Sequence, residues 1–435
     1  SRFSDWNPSH FLDVGEMTMA VAIGYDWLYH DLSEDSRKQM REAIIRLGIE
    51  PSQNKKYNSF LNASNNWNQV CNAGISFGAL AIAEDIPELA AELVSRAITS
   101  VPKSVSGYAP DGAYPEGYGY WEYGTSFNVL LLSALEKALG TDYQLSNLPG
   151  FLKSAGFLQN MIGPSYQVHN WGDSGLKAGA SPAMFWYASK LKDPSLIWMN
   201  NAILQQSGKL TGNRILPALL IWGKDLDLQN VTPPKAKMWV GQGPSPVGLM
   251  RTSWTDPQAI FVGFKAGSAS VSHAHMDAGS FIIDAMGERW AMDFGPQDYN
   301  SLETKGVNLW GRDQNAQRWE VFRYNNRVHN TLTVDNQLHK VNGYAKIDEW
   351  SDQKDNQFVI SDLGKVFGDQ LSAARRGVAI KNQKIVVVRD ELSAPADRPV
   401  TVRWNLLTAA EVNIINENTV KLVQNGKNFF ITFQS

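Results

Sequence analysis

The chain has 435 residues, of which 43% are hydrophobic and 19% charged, and its formal net charge is −3. The length exceeds the size at which one hydrophobic core usually stops growing, so two domains are expected. The missing basic excess argues against a nucleic-acid-binding protein. No apolar run of about 18 residues occurs, so no membrane span is expected. The lone Cys71 excludes an internal disulfide.

Residues 10 to about 230 are predicted to be helical. The first segment, 14–29, has apolar residues at helical spacing. Ser33 is the predicted N-cap of a second helix that runs to Leu47. Further helices are predicted at 68–84, 87–101, 125–139, 149–161, 181–191 and 195–207. Short helices joined by Gly-, Pro- and Asn-rich turns favour stacked helical hairpins, as in an (α/α) toroid, for a domain at 1–232.

Two loops in this helical part are unusually rich in aromatic and polar residues, at 110–124 and 168–175. Long loops on a helical scaffold are common positions for functional residues. The chain also contains 15 Trp residues. An indole fills a protein core well, but its face also packs against a pyranose ring, so both interpretations stay open.

After a predicted linker at 231–235 the residue pattern changes to that of β-strands. The spacing and the turn residues fit an antiparallel β-sandwich at 236–435. The predicted strands are 259–265, 279–285, 330–335, 358–361, 385–389 and 428–435.

Three of the seven histidines lie close to two aspartates at the start of this second part. Residues i and i+2 of a strand share a face, so His273 and His275 are expected to point the same way. His275, Asp293 and His329 form a set of two imidazoles and one carboxylate, which zinc accepts as ligands. The alternative is three unrelated polar residues at strand ends.

The helical part contains its own candidate residues. Asn65 and Asn66 precede an apolar helix, where one amide suffices for a cap and a second suggests ligand binding. His169 and Asn170 lie in the second loop and either contact a ligand or hold the loop. The tyrosines of the first loop are expected mostly to pack, with one of them catalytic; they are Tyr114, Tyr118, Tyr120 and Tyr123.

Taken together, these motifs resemble the heparinase II/III-like polysaccharide lyases over nearly the whole chain. The resemblance rests on 65–66, 111–120, 171–174, 273–279, 293–295 and 329–331. It implies an (α/α) toroid followed by an antiparallel β-sandwich. It also implies β-elimination at a uronic acid of an anionic polysaccharide or oligosaccharide, and a periplasmic or secreted bacterial enzyme.

The resemblance implies a role for each matching residue. Asn66 would bind the uronate carboxylate, and His273 would add an imidazole from the sandwich. Tyr120 would be the acid, and also the base when both groups leave from one face. A structural zinc ion would be held by His275, Asp293 and His329 and would order the strand that contains His273.

One position departs from the family pattern. Many relatives have a His directly after the paired Asn, where this chain has Trp67. The base would then be Tyr120, His273 or His169. Arg312 belongs to an arginine cluster that is either a solvated face or a docking strip for anionic sugar. The expected substrate-binding residues are Asn65, Trp67, Glu116, Tyr123, Asn170, Trp171 and Arg312.

Two other functions remain open from the residues alone. A catalytically silent carbohydrate-binding protein would keep the Trp-rich cleft and the metal without turnover. A glycoside hydrolase on the same scaffold would need a pair of carboxylates. Its candidates are Asp111, Glu116, Glu122 and Asp173, whose spacing selects no pair.

Overall fold

The computed structural model describes residues 3–206 and 213–434. Helices make up its N-terminal part and antiparallel strands its C-terminal part, which confirms the predicted fold class. The helices of the N-terminal part are α1 (Phe11–Trp27), α2 (Glu34–Ala43), α3 (Glu50–Gln53), α4 (Asn66–Ala81), α5 (Pro87–Ser100), α6 (Pro102–Val105), α7 (Tyr118–Leu139), α8 (Ser154–Asn160), α9 (Pro182–Leu191), α10 (Trp198–Gln206) and α11 (Ala218–Trp222).

Local sequence signals explain several helix boundaries. Ser33 is the N-cap of α2, and its side chain accepts a hydrogen bond from the backbone N–H of Ser36, as predicted. A π-helical segment, Ile44–Ile49, joins α2 to α3. The last residue of the helix predicted at 195–207 lies outside the described residues, and α10 begins at Trp198.

The predicted loop 110–124 is wrong in its second half, because α7 begins at Tyr118. The glycines of this segment are the reason for the error, since they usually indicate a loop. Gly124 instead permits close helix packing: a Cβ there would lie 2.3 Å from Gln69 Oε1. The helix pair α4 and α7 can therefore approach closely, and Tyr120 is held on a rigid helix.

In the core of the helical part, α4 lies between α1 and α7 and packs against both helices. A Cβ at Gly74 of α4 would lie 2.1 Å from the carbonyl oxygen of Gly15 in α1. Only glycine allows the two backbones to come this close. This packing fixes the position of the α4 N-terminus, where Asn66 lies.

The C-terminal part contains four antiparallel sheets. Their strand orders are β1-β2-β3-β4-β5, β10-β9-β8-β7, β11-β6 and β12-β13-β14. The strands are β1 (Met238–Gly241), β2 (Val247–Arg251), β3 (Phe261–Lys265), β4 (Phe281–Ala285), β5 (Glu288–Ala291), β6 (Leu332–Val334), β7 (Glu349–Gln353), β8 (Asn356–Asp362), β9 (Ala373–Lys381), β10 (Ile385–Ser393), β11 (Val402–Trp404), β12 (Glu411–Asn416), β13 (Thr419–Gln424) and β14 (Lys427–Thr432). Two short helices complete the elements, α12 (Tyr299–Glu303) and α13 (Gly364–Phe367).

The five-stranded sheet is covered on both faces. Val262 and Phe264 of β3 share a core with Val378 of β9, which packs the five-stranded sheet on the four-stranded one. Phe261 of β3 points the opposite way and belongs to the core of the helical part. The sheet therefore packs between the helices and the second sheet, and the two parts share a hydrophobic interface.

The predicted domain limits, 1–232 and 236–435, stay a prediction. The last helix of the N-terminal part ends at Trp222 and the first strand begins at Met238, so the expected linker lies between them. Among the described residues, no helix has the length and apolar character needed to cross a membrane.

Candidate active site

Tyr120 of the helical part and His273 of the sandwich are in direct contact. Tyr120 lies in the first turn of α7, and its ring stacks on the imidazole of His273, with ring centroids 3.9 Å apart and planes 18° apart. His273 has a left-handed backbone, with φ of 58°. Such a conformation costs about 1 kcal/mol or more in a non-glycine residue and is common at functional sites. The stack brings together residues that are far apart in the chain.

The hydroxyl of Tyr120 lies 3.0 Å from the hydroxyl of Tyr299. Tyr299 donates a hydrogen bond to Asp173 Oδ2 at 2.8 Å, so its oxygen is free to accept one from Tyr120. Burial raises the pKa of both phenols. Tyr120 therefore holds its proton at neutral pH and can donate it to a bound substrate.

Asp173 connects this group to the rest of the site. Its Oδ2 accepts hydrogen bonds from Arg318 Nη2 at 3.0 Å and lies 3.3 Å from His273 Nδ1. Its Oδ1 accepts one from His275 Nε2 at 2.9 Å. Burial opposes ionisation, but the hydrogen bonds from the two histidines hold the pKa of Asp173 well below its ordinary value. The carboxylate therefore stays ionised and orients both rings.

A second buried group lies on the other side of His273. Asn66 is the first residue of α4, and its Nδ2 donates to Glu116 Oε2 at 3.2 Å. Tyr114 donates to the same oxygen at 3.0 Å. Glu116 Oε1 lies 4.0 Å from His273 Nε2 and has no hydrogen-bond partner among the described residues. An amide, a carboxylate and an imidazole thus surround one point at the helix N-terminus.

Of the three tyrosines in the first turns of α7, only Tyr120 faces this group. Tyr118 donates its hydroxyl proton to the carbonyl oxygen of Gly179 at 3.2 Å. Tyr123 donates to Glu16 Oε1 at 2.6 Å. The predicted role of Tyr123 in substrate binding stays a prediction.

A candidate metal site lies behind His273. One donor atom each from His275, Asp293 and His329 lie within 4.8 Å of one another, and all three residues are buried. His275 Nδ1 and His329 Nε2 have no hydrogen-bond partner among the described residues. Buried, unpartnered imidazole nitrogens beside a carboxylate fit a metal ion, because an unmet acceptor in the interior costs free energy.

The charges of these three residues also suit a cation. Burial lowers the pKa of His275, so its ring is neutral. Burial opposes ionisation of Asp293, but the nearby His329 lowers its pKa to about 2. Burial favours neutral His329, yet Asp293 outweighs it and raises the His329 pKa. A metal ion would replace the proton that the pair holds in its absence.

Other predicted residues lie next to this group without contacting Tyr120 or His273. Asn65 caps α4, and its Oδ1 accepts from the backbone N–H of Trp67 at 3.2 Å. The Trp67 ring packs edge-on against His10, 5.0 Å away. Both residues remain predicted substrate contacts.

The second loop lies deeper. Asn170 Nδ2 donates to the carbonyl oxygen of Asp293 at 3.1 Å, and Trp171 is buried. His169 is also buried, and burial lowers its pKa to about 3. These buried positions suit residues that hold the segment containing Asp293 in place. The predicted catalytic role of His169 and the predicted substrate-binding roles of Asn170 and Trp171 stay predictions.

Sequence reasoning missed Tyr299 and gave Asp173 no role other than that of a hydrolase carboxylate. Tyr299 lies on the short helix α12, in a segment without a recognisable motif. Asp173 belongs to the turn 171–174 that contributed to the resemblance, so its position was the available signal. Arg312 is exposed, and its Nη2 donates to Ser272 Oγ at 3.2 Å.

One family model matches the C-terminal part of the chain. Residues 248–435 match the model of the family described as heparinase II/III-like, C-terminal. No curated protein matches the sequence significantly.

Solved structures match over most of the chain. The heparan sulfate lyase HepC from Pedobacter heparinus has 16% identity and a TM-score of 0.64, over 98% of this chain and 60% of its own. Heparinase III has 16% identity and a TM-score of 0.67, over 95% of this chain and 60% of its own. The chain thus spans about 60% of the length of these structures. Residues 248–435 are therefore similar to the heparinase II/III-like C-terminal family, and the fold of the chain is similar to that of the solved heparinases.

Proposed function

We propose that this protein is a polysaccharide or oligosaccharide lyase that cleaves uronic-acid-containing glycans by β-elimination and leaves a 4,5-unsaturated uronate. The observation that supports this most is the grouping of Tyr120, His273 and Asn66, which come from two helices and the sandwich. Two of the similar solved structures are a heparan sulfate lyase and heparinase III, which favours a glycosaminoglycan as substrate.

The reaction has three requirements, and each has a candidate residue. The uronate carboxylate must be neutralised, because removal of the C5 proton places charge on it. The second N–H of the Asn66 amide, which Glu116 leaves free, can donate to that carboxylate. When Tyr120 is the base, the imidazole of His273 can add a further donor. Preorganised donors of this kind stabilise developing charge without rearrangement.

Proton transfers complete the elimination. The C5 proton leaves, its electron pair forms the C4–C5 double bond, and the bond from C4 to the glycosidic oxygen breaks. Tyr120 holds a proton and is the acid for the departing oxygen. The base is either His273 Nε2, which takes the C5 proton while Tyr120 gives its own proton to the leaving oxygen, or Tyr120 itself. In the second case Tyr120 would take the C5 proton as a phenolate and pass that same proton to the leaving oxygen.

We further propose that the metal is zinc, held by His275, Asp293 and His329. The role of the zinc ion would be structural, because it would link the three segments that contain its ligands. Asp173 accepts a hydrogen bond from His275 Nε2 and so orients that ring. Carboxylates next to metal-binding histidines commonly have this role. A periplasmic or secreted location is also proposed, on the family resemblance alone.

The testing experiment follows ultraviolet absorbance of the unsaturated uronate while the protein acts on heparan sulfate, hyaluronan, alginate and their oligosaccharides. A rise with one substrate, lost in Tyr120→Phe and His273→Ala, is the expected result. New reducing ends without absorbance would instead indicate a hydrolase. Binding without either signal would indicate a catalytically silent carbohydrate-binding protein.

A further inference from the structure

Trp310 differs from the other tryptophans of the chain in its position. Only three of the 15 Trp residues expose more than a third of their surface: Trp27, Trp310 and Trp350. Of these, Trp310 alone lies beside the candidate catalytic residues. Its ring meets His273 edge to face at 5.8 Å and Tyr299 at 5.2 Å.

The exposed indole is held in a fixed orientation. Its Nε1 donates to Glu303 Oε1 at 3.0 Å, and its inner side contacts Tyr299. Trp310 is nevertheless 49% exposed. An apolar ring that is rigid before binding loses little conformational entropy when a ligand covers it, so it is suited to stack against the C–H face of a pyranose.

Arg312 lies two residues further along the same loop and is also exposed. Its Nη2 donates to Ser272 Oγ, next to His273. Arg312 has no ion pair with any residue in the described ranges, and its other N–H groups lack partners there. A guanidinium with free donors is suited to bind a carboxylate or a sulfate by two parallel hydrogen bonds.

The two side chains belong to one surface. Trp310, Arg312 and His273 line the same narrow cleft, together with the buried Arg318; its enclosed volume is about 10 Å³, so a sugar ring would lie over it and not inside it. Arg318 uses its donors on Asp173, Ala274 and Leu309 within the protein. Arg312 is therefore the arginine of this cleft that remains available to a ligand.

We propose that Trp310 and Arg312 form a sugar subsite for the ring adjacent to the cleaved uronate, and that this ring bears an anionic group. Trp310 stacks on the pyranose and Arg312 binds the anion, which is either a sulfate ester or a second uronate carboxylate. The subsite rests on the proposed lyase function. It makes this protein selective for glycans with negative charge on neighbouring rings.

The experiment measures binding of heparan sulfate hexasaccharides by calorimetry in the inactive Tyr120→Phe protein, so that the ligand stays intact. Three ligands are compared: the native hexasaccharide, the same chain chemically desulfated, and the same chain with its carboxyl groups reduced. The variants added to this background are Trp310→Ala, Trp310→Tyr, Arg312→Gln and Arg312→Lys. Trp350→Ala, on the exposed strand β7, is the matched control.

Trp310→Ala is expected to weaken binding of all three ligands about five- to ten-fold, as loss of a half-exposed aromatic contact predicts, with Trp310→Tyr close to the parent. Arg312→Gln is expected to weaken the native ligand about ten-fold or more, since bonds between charged groups are strong. The anion is identified by the modified hexasaccharide, desulfated or carboxyl-reduced, whose affinity Arg312→Gln does not lower any further. Arg312→Lys should recover only part of the loss.

Other results would overturn the inference in distinguishable ways. If Trp310→Ala binds like Trp350→Ala while the native enzyme still forms unsaturated product, the subsite is wrong and the lyase stands. If Arg312→Gln weakens every ligand equally, the anionic preference is wrong. If none of the glycans binds to the parent protein, both the subsite and the proposed substrate class fail.

Discussion

Tyr120 keeps its proton because burial raises its pKa, which outweighs the opposite effect of its hydrogen bond to Tyr299. Two negative neighbours, Asp173 and Glu116, further disfavour a phenolate. The residue is thus arranged first as an acid. Whether it also accepts the C5 proton depends on its charge during turnover, which a kinetic test can separate.

Tyr120→Phe should lower kcat by about 10²- to 10⁴-fold, the usual contribution of a general acid, because it removes the proton but keeps the ring stacked on His273. Steady-state kinetics and circular dichroism check this. Tyr123→Phe, which loses a contact with Glu16 instead, is the matched control and should retain most of the activity. An active Tyr120→Phe protein would exclude Tyr120 as the acid.

A uronate substrate with a nitrophenolate leaving group at C4 distinguishes the acid role of Tyr120 from its role as base. This leaving group needs no proton, so an acid is not required. If Tyr120 is only the acid, Tyr120→Phe recovers on this substrate whereas His273→Gln stays slow. If Tyr120 is also the base, Tyr120→Phe stays slow on both substrates.

His169 predicts a pH effect on stability. Burial lowers its pKa from 6.5 to about 3, so the folded protein resists protonation there. Below pH 6.5 the unfolded chain takes up a proton that the folded protein does not, and stability falls as pH falls. The loss is roughly 1.4 kcal/mol per pH unit while the pH stays above the folded pKa.

Between pH 6.5 and 4, His169→Gln should reduce the slope of the free energy of unfolding by about 1.4 kcal/mol per pH unit. The remaining slope comes from other groups such as His339, whose pKa burial lowers to about 4. Urea unfolding at half-unit pH steps measures it. The exposed His30 offers the control, because His30→Gln should leave the slope unchanged. An unchanged slope in His169→Gln would mean that the ring is accessible to protons in the folded state.

At the scale of elements, the turn 171–174 of the helical part reaches the sandwich. The backbone N–H of Asp173 donates to the carbonyl oxygen of His273 at 3.0 Å, which supports the left-handed conformation there. Its side chain holds His275 on one oxygen and Tyr299 on the other. The same turn therefore positions the candidate base and a candidate metal ligand.

Asp173→Asn should weaken both functions of this turn. The side-chain amide of the substituted Asn would place an N–H against one of the groups that donate to Asp173, such as His275 or Tyr299. It would also remove the negative charge that pairs with Arg318. We expect metal affinity to fall about 10- to 100-fold, with a loss of kcat larger than any change in KM. Elemental analysis after dialysis against chelator and steady-state kinetics check the two effects separately.

Asp335→Asn, at a half-buried carboxylate far along the chain that pairs with Arg398, is the control and should change neither quantity. Normal metal content with low kcat in Asp173→Asn would restrict the role of Asp173 to His273. Normal activity would contradict both roles.

For the whole molecule, the contact between helices and sheet is maintained by a buried charge. Arg251, at the end of β2, donates from Nη2 to the carbonyl oxygens of Asn160 and Ile162, both at 3.0 Å. Its guanidinium lies 3.5 Å from the centroid of the Trp254 ring. Burial lowers its pKa to about 9, so it stays charged at neutral pH.

Arg251→Met should destabilise the protein by about 3 kcal/mol, because two buried carbonyl groups lose their donor. Chemical unfolding followed by circular dichroism measures the change. Arg389→Met, at an exposed position of β10, should change stability by less than about 0.5 kcal/mol. An equal effect of the two substitutions would mean that water replaces the Arg251 donor.

Much of this organisation could be predicted from the sequence because it depends on local patterns. Apolar spacing predicted the helices, and β-forming residues between turn residues predicted strands such as β3, β4 and β8. The set His275, Asp293 and His329 was recognisable from residue types, and its members do come together. The start of α7 could not be recognised from the sequence, because glycines such as Gly119 and Gly124 usually indicate a loop. Only their packing partners show that they belong to a helix.

By itself, then, the sequence determined the helical and β-rich parts, the resemblance to a lyase family and the candidate residues in each part. Only the tertiary structure decided which of them meet. It placed Tyr120, and not Tyr123, against His273, and it brought in Tyr299 and Asp173. Contacts such as Asp173 with His273 join residues from separate parts of the fold, so they depend on how helices and sheet pack, which no local pattern records.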